Sequence, residues 1–272
     1  MQYIKVTFSI TGQDMSDMLI AKLSDAGYNG FEEHENQLLA YIEANVFHEE
    51  EMKEITGVSS EYYEIEIIPA QNWNALWESN FEPVVVDDFC TVRAHFHDIK
   101  VATTYDIVIT PKMSFGTGHH ATTQLMMKMM RTQDLREKSV LDFGTGTGVL
   151  AILAEMLGAS EVLAIDNDEW SVENALENIG RNQCKKIKVQ FGSLEAVISE
   201  STDVILANIN RHILQEYMQQ LYHRLNNRGV ILMSGLLTED KETIIKRATD
   251  AGFHLVQVKD QTNWIALLFE KA

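Results

Sequence analysis

The sequence predicts an α/β protein: a Rossmann-like open sheet over residues 97–272, preceded by a small α+β unit of ferredoxin-like order over residues 1–70. Three observations carry this. Strand and helix signals alternate from Thr104 onward, the pattern of a largely parallel sheet covered on both faces. The stretch VLDFGTGTG, Val140 to Gly148, breaks an apolar run into three glycines, as strand-to-helix turns do beside nucleotide ligands. Charge is also uneven: residues 1–70 hold 14 Asp or Glu against three lysines, a net of −11, whereas the other 202 residues carry −7.

The first unit follows a β-α-β-β-α-β order. Tyr3 to Ser9 reads as a strand, and Asp14 to Ala26 as a helix with Met15, Met18, Leu19 and Leu23 on one face. Phe31 to Glu35 and Gln37 to Glu43 form a hairpin turning near Asn36, with alternation resuming at Leu39 and Tyr41. Phe47 to Thr56 is a short acidic helix, and Tyr62 to Ile68 alternates again before Pro69. That order is the split β-α-β sandwich. The run Glu49-Glu50-Glu51 makes a solvated face, and a unit this acidic is a candidate for holding a basic protein.

Residues 71–96 read as a connector. Trp73, Trp77 and Phe81 recur at helical spacing, which predicts a short amphipathic helix ended by Pro83; scarce Gly and Ser make the connector stiff. Beyond it, strands are expected near 106–110, 138–143, 161–166, 186–191, 203–208, 229–234, 253–259 and 263–270, with helices between most of them. Only Asp260 to Thr262 separates the last two. That gap holds no crossover helix, so the final strand should run antiparallel.

Composition narrows the function classes. The start, MQYIKVTFSI, has no basic lead before a long apolar run, so no secretory signal is expected. No uninterrupted apolar stretch reaches the roughly 18 residues that span a bilayer. Cys90 and Cys184 are far apart and match no zinc spacing, which fits reduced thiols and a cytoplasmic location. A formal charge of −18 repels phosphate backbones and anionic membranes and attracts basic partners. A monomer with neither membrane nor direct nucleic-acid contact is the expectation.

Gly144, Gly146 and Gly148 follow G-x-G-x-G, and Val149 stands where a dinucleotide fingerprint wants its third glycine. Asp142 closes the preceding strand two residues before the first glycine. A carboxylate there opposes a diphosphate and welcomes an ammonium or sulfonium group. Asp166 closes the next strand, 22 residues after Gly144, where it can accept two hydrogen bonds from a ribose diol. A ligand with a ribose, a cationic end and no phosphates is S-adenosyl-L-methionine.

Two further segments bear on the chemistry: PKMSFGTGHHATTQLMMKMM before the glycine strand, and LANINRHIL after the strand Asp203 to Ala207. With these residues the chain resembles the PrmA family, methyltransferases that modify the eleventh protein of the large ribosomal subunit. The family's F-G-T-G-T-H-P-T-T type segment, D-F-G-x-G-x-G loop, acidic end to the second strand and A-N-I motif read here as FGTGHHATT, DFGTGTG, AIDND and ANIN. His120 and Ala121 stand where the family has His-Pro. The resemblance implies a class I S-adenosylmethionine-dependent methyltransferase domain behind a ferredoxin-like recognition domain. It implies S-adenosyl-L-methionine as cofactor and a basic large-subunit ribosomal protein as substrate, methylated on lysine ε-amino and N-terminal α-amino groups. It also points to Thr123 as a cofactor contact.

The residues themselves specify more. In FGTGHHATT, Thr122 or Thr123 can cap the helix running through Met130, a seat for the cofactor's carboxylate. Phe115 is placed either over the cofactor or in the core. The stripe Met126, Met127, Met129 and Met130 suits adaptable core or an interface. His95, His97, His119 and His120 invite a metal, but no carboxylate ligand pattern accompanies them, and no metal is expected.

Asn208 is the main catalytic candidate. Its carboxamide oxygen, with the backbone carbonyl of Ile209, can accept an amine's N–H bonds and aim the nitrogen lone pair at the methyl group. Alternatively Asn208 caps a helix beginning near Asn210. Asn208-Ile209-Asn210 lacks the prolines and ring of the Asn-Pro-Pro-aromatic motif of nucleobase and glutamine methyltransferases, which argues against a flat planar target. The rival readings are an RNA or small-molecule methyltransferase and a nicotinamide-dependent oxidoreductase.

Overall fold

The computed structural model describes residues 2–68, 81–112, 114–197 and 201–271. The helix expected around Trp73 and Trp77 lies outside them. The chain divides into two compact units, Met1–Asn80 and Phe81–Ala272.

In the smaller unit, β1 (Tyr3–Ser9), β2 (Gly30–His34), β3 (Gln37–Glu43) and β4 (Tyr63–Ile68) form one antiparallel sheet in the order β2-β3-β1-β4. Helices α1 (Gln13–Asp25) and α2 (Glu49–Thr56) supply Leu19, Leu23 and Met52 to a core with Val6, Phe8, Leu38 and Ala40. The buried stripe of α1 runs through Ser16, Leu19 and Leu23, so Met18, expected on that face, is 43% exposed. The opposite sheet face, where Lys5 pairs with Glu66 and Tyr41, carries Glu32, Glu64 and Glu66.

The larger unit is built on a seven-stranded sheet. Its strands are β8 (Ser139–Phe143), β9 (Glu161–Asp166), β10 (Ile187–Phe191), β11 (Thr202–Asn208), β12 (Leu225–Leu237), β13 (Phe253–Gln261) and β14 (Trp264–Lys271). They lie in the order β10-β9-β8-β11-β12-β14-β13. β8 to β12 pair in parallel, and β14 runs antiparallel to both β12 and β13, as the three-residue gap required. Strand order reverses between β8 and β11, and ligands bind at the carboxyl ends of strands at such a switch point.

Successive strand residues feed opposite layers. Val140, Val204 and Leu206 pack with α3 (Ala121–Met130), α4 (Val149–Met156) and α5 (Glu169–Arg181), whereas Leu141, Phe143, Ile205 and Ala207 pack with α6 (Arg211–Arg224) and α7 (Lys241–Ala251). Met126, Met127, Met129 and Met130 are fully buried core. Among the described residues, no helix is long and apolar enough to cross a membrane.

Two expectations need correction. Residues 81–96 were expected within the connector, yet they belong to the larger unit and hold β5 (Val84–Val86) and β6 (Cys90–Ala94). Val84, Val86, Cys90, Val92 and Ala94 are all buried, so this stretch folds to cover core. The strand near 106–110, β7 (Tyr105–Ile109), pairs with β6 in a separate three-stranded sheet, order β5-β6-β7, not with the large one. Its other edge is met by side chains of α5 and its C-cap: Asn182 accepts from the Val108 N–H at 2.9 Å, and Asn178 from the Thr110 N–H at 2.7 Å.

Candidate active site

A cavity of about 640 Å³ opens at the carboxyl ends of β8, β9, β11 and β12. Phe115, Gly144, Gly146, Asp166, Asn208 and Ile209 all line it, so six of the eight residues singled out from the sequence meet at one place. His120, Ser193, His212, Glu216, Tyr217 and Trp264 join them. No lysine or arginine is among the described residues of the lining.

The glycine turn is shaped by close approach. Gly146 has φ +56°, and a Cβ there would stand 2.3 Å from the Phe115 carbonyl oxygen; at Gly144, φ +76°, it would stand 2.4 Å from Ile209 Cγ2. Neither position admits a side chain without a shift of its neighbour. The Gly146 N–H donates to Asp166 Oδ2 at 2.8 Å and the Asp168 N–H to Asp166 Oδ1 at 3.1 Å. Asp166 is thereby held at the cavity edge with lone pairs left for a ligand. Asp168 caps α5, accepting from the Ser171 N–H at 3.2 Å. Asn178, fully buried, donates to the Thr147 carbonyl at 2.8 Å while accepting from Thr110, which ties the glycine turn to the end of β7.

Asp142 and Thr123 stand behind the cavity wall rather than in it. Asp142 is 1% exposed and accepts from Thr145 Oγ1 at 2.6 Å. Burial pushes its carboxyl up to about 7, with the nearby Asp166 charge adding to the rise and the Thr145 hydrogen bond opposing it. Expected to welcome a cation at the entry, it is instead a carboxyl sealed under the turn. Thr123, also 1% exposed, accepts from Asn208 Nδ2 at 3.4 Å. Neither threonine caps α3. His120 is the N-cap, and its Nδ1 accepts from the Thr122 N–H at 3.3 Å. The ring of His120 meets Trp264 edge-on at 4.5 Å and Phe115 at 5.3 Å.

Asn208 ends β11 at the cavity. With Nδ2 directed to Thr123, Oδ1 is left buried with no hydrogen-bond partner. An unpaired buried acceptor costs roughly 1–3 kcal/mol, so its presence at a cavity points to a ligand donor. Asn208 does not cap α6; Asn210 occupies that position. Gly235, φ +83°, lies against the next residue, and a Cβ there would come 2.3 Å from the Ile209 carbonyl oxygen.

Three of the four histidines take other roles, His120 as the cap of α3. His97 Nε2 contacts the Phe81 carbonyl and its Nδ1 accepts from the Ala94 N–H, while His119 bridges Thr117 and the Glu82 carbonyl. Among the described residues, no group of three or more His, Cys, Asp or Glu is placed to hold a metal ion.

The geometry thus presents a cavity of about 640 Å³, a carboxylate held at its edge by the glycine turn and an unpartnered amide oxygen. The model of one family, described as ribosomal protein L11 methyltransferase (PrmA), matches residues 9–272. The chain belongs to that family. A relative named ribosomal protein L11 methyltransferase, from Porphyromonas gingivalis, is 39% identical over 99% of this chain and 98% of its own length. Another of that name, from Bacteroides thetaiotaomicron, is 38% identical over 99% of both. Among solved structures, a ribosomal protein L11 methylase from Lactobacillus delbrueckii subsp. bulgaricus is 30% identical. It superimposes with a TM-score of 0.66 over 71% of this chain and 100% of that one. A putative RNA methyltransferase from Pyrococcus horikoshii, 23% identical, matches 60% of this chain and 91% of its own with a TM-score of 0.50, a likeness of fold alone. The larger unit of this PrmA family member has the α/β methyltransferase fold with a mixed sheet.

Site residues that sequence reasoning missed include Asn178, Gly235, Trp264 and the capping role of His120. Asn178, Gly235 and Trp264 act on partners distant in the chain, whereas His120 caps through Thr122, two residues on, and only its place before α3 offered a local signal.

Proposed function

We propose that this chain is a cytoplasmic S-adenosylmethionine-dependent N-methyltransferase acting on ribosomal protein L11, at lysine ε-amino and N-terminal α-amino groups. The unpartnered Asn208 Oδ1 at the wall of a cavity with no lysine or arginine among its described residues carries this reading. With Asp166 and Glu216 in it and no lysine or arginine among its described residues, this lining suits a ligand with a positive end better than a diphosphate. When bound, the cofactor supplies an electrophilic methyl group on a sulfonium sulfur.

The chain's own residues do the rest. Asp166 accepts hydrogen bonds from a ribose diol, and the Gly144–Gly146 backbone admits the nucleoside closely. Asn208 Oδ1 and the Ile209 carbonyl accept N–H bonds from the substrate amine and aim its lone pair. Positioning of this kind contributes up to about 7–11 kcal/mol where alignment is good. Phe115 and Trp264 desolvate the amine, which lowers its pKa and favours the neutral nucleophile. Thr123 and Asp142 support the site from behind.

The smaller unit, of ferredoxin-like strand order, is proposed to hold the substrate. A net charge of −11 over residues 1–70 and the glutamates on the sheet face opposite its helices support that role. The test is a methylation assay with radiolabelled S-adenosylmethionine, offering free ribosomal protein L11 and ribosomal RNA separately. Label is expected in protein amines, mapped by mass spectrometry; label confined to RNA overturns the assignment. Calorimetry adds a second check, since tighter binding of NAD than of S-adenosylhomocysteine contradicts the cofactor.

A further inference from the structure

The Asn208–Ile209 turn has no local device to hold it. Asn210, the N-cap of α6, makes no side-chain capping bond, and the first helical turn contains no acidic residue. The helix opens instead on Arg211, a cation at the end where the helix dipole disfavours one. What fastens the turn comes from the segment after β12. Asp240 Oδ1 accepts from Arg211 Nη1 at 2.5 Å, and Asp240 Oδ2 accepts from the Leu237 N–H at 2.9 Å. The Asp240 side chain is 6% exposed and that of Arg211 53%, so a buried carboxylate grips a solvent-facing guanidinium.

A second fastening lies beside it. β12 has an irregular register against β14 between Met233 and Leu236, and this places Gly235 against the Ile209 carbonyl. The backbone of the turn is thus pressed on β12 at Ile209 and moored to Asp240 at Arg211, two residues later. Asn208 and Ile209 hold the acceptors proposed for the substrate amine.

We propose that the Arg211–Asp240 pair positions the Asn208–Ile209 acceptor pair, which makes both residues positioning residues for methyl transfer. The idea rests on the functional reading above. Neither side chain needs to touch substrate or cofactor. Their contribution is to keep two oxygens in register, and a displacement near 1 Å costs on the order of a hundredfold in rate.

The test uses the full chain with Arg211→Met, Arg211→Lys and Asp240→Asn. Asp240→Asn keeps an acceptor for the Leu237 N–H, so folding is preserved while the ionic grip is lost. We expect kcat to fall on the order of tenfold in Arg211→Met and Asp240→Asn. The double variant should fall no further than either single one, and Arg211→Lys should recover most of the loss. The Kd for S-adenosylhomocysteine should stay at the parent value, because Asp166 and the glycine turn are untouched. Unchanged kcat overturns the proposal; so does a fall in kcat matched by a parallel loss of cofactor affinity. Amide hydrogen exchange at 208–210, with S-adenosylhomocysteine bound, separates this idea from the functional one. Faster exchange in Arg211→Met supports the mooring even if the parent chain methylates no protein amine, and unchanged exchange overturns it.

Discussion

Two turns meet at the cavity, and they are built on opposite principles. The Gly144–Gly148 turn carries its own instructions: three positive-φ glycines, an aspartate cap on the following strand's helix, and a backbone that closes on itself through Asp166. The Asn208–Arg211 turn carries almost none. Its amide is oriented by Thr123, 85 residues upstream, its carbonyl lies against Gly235, and its helix is moored to Asp240. In the proposed function the first turn is the binding surface that admits a nucleoside backbone-close, and the second is the part whose precision depends on borrowed partners.

Breaking the second turn should produce the largest effect. Asn208→Ala is expected to lower kcat on the order of a hundredfold while leaving the Kd for S-adenosylhomocysteine nearly unchanged. Steady-state kinetics with calorimetry measure the split; a loss confined to cofactor affinity would erase the contrast between the turns.

Gly146→Ala comes next. A Cβ at 2.3 Å from the Phe115 carbonyl and a φ of +56° impose strain of about 1–3 kcal/mol and displace the amide that holds Asp166. Urea unfolding should show the destabilisation, and calorimetry a weaker cofactor. A variant that melts normally and binds normally indicates that the turn tolerates what its geometry forbids.

A smaller effect is expected at Thr123→Val, which keeps shape and removes the acceptor for Asn208 Nδ2. A lost neutral hydrogen bond is worth about 1 kcal/mol, so kcat should fall about fivefold, with Thr123→Ser restoring it. Failure of serine to rescue means that packing, not the hydrogen bond, is what Thr123 contributes.

A separate test, of stability rather than turnover, is pH. Burial raises the Asp142 carboxyl to about 7 from an ordinary 3.8, so the folded chain keeps a proton that the unfolded chain releases between those values. Stability from this group is therefore fully present below about pH 4 and is lost as pH rises toward 7, by about 1 kcal/mol per pH unit. Asp142→Asn should flatten that slope in urea unfolding measured from pH 4 to 7. An unchanged slope places the titrating group elsewhere.

The strands of the large sheet, its antiparallel last strand and the order of elements in the smaller unit were legible because alternation and gap length are local properties. So was the convergence of Gly144, Gly146, Asp166 and Asn208, since strand ends of one parallel sheet share an edge. Residues 81–96 were read as a connector because a short hairpin starting at Val84 offers too few alternations to stand out. Asp142 was misplaced for a related reason. A strand-end position specifies which edge a residue occupies but not whether its side chain faces ligand or core.

The sequence by itself determined the element order, the glycine turn and the family to which this chain belongs, because dihedral demands and hydrophobic period act over a few neighbouring residues. Only the tertiary structure decided that Asp142 is sealed away, that Thr123 orients Asn208, and that Gly235 and Asp240 flank the Asn208–Arg211 turn. The Thr123 and Asp240 contacts join residues 85 and 29 positions apart, and Gly235 meets Ile209 beside a β12 irregularity. Distance along the chain carries no record of them until packing brings the atoms together.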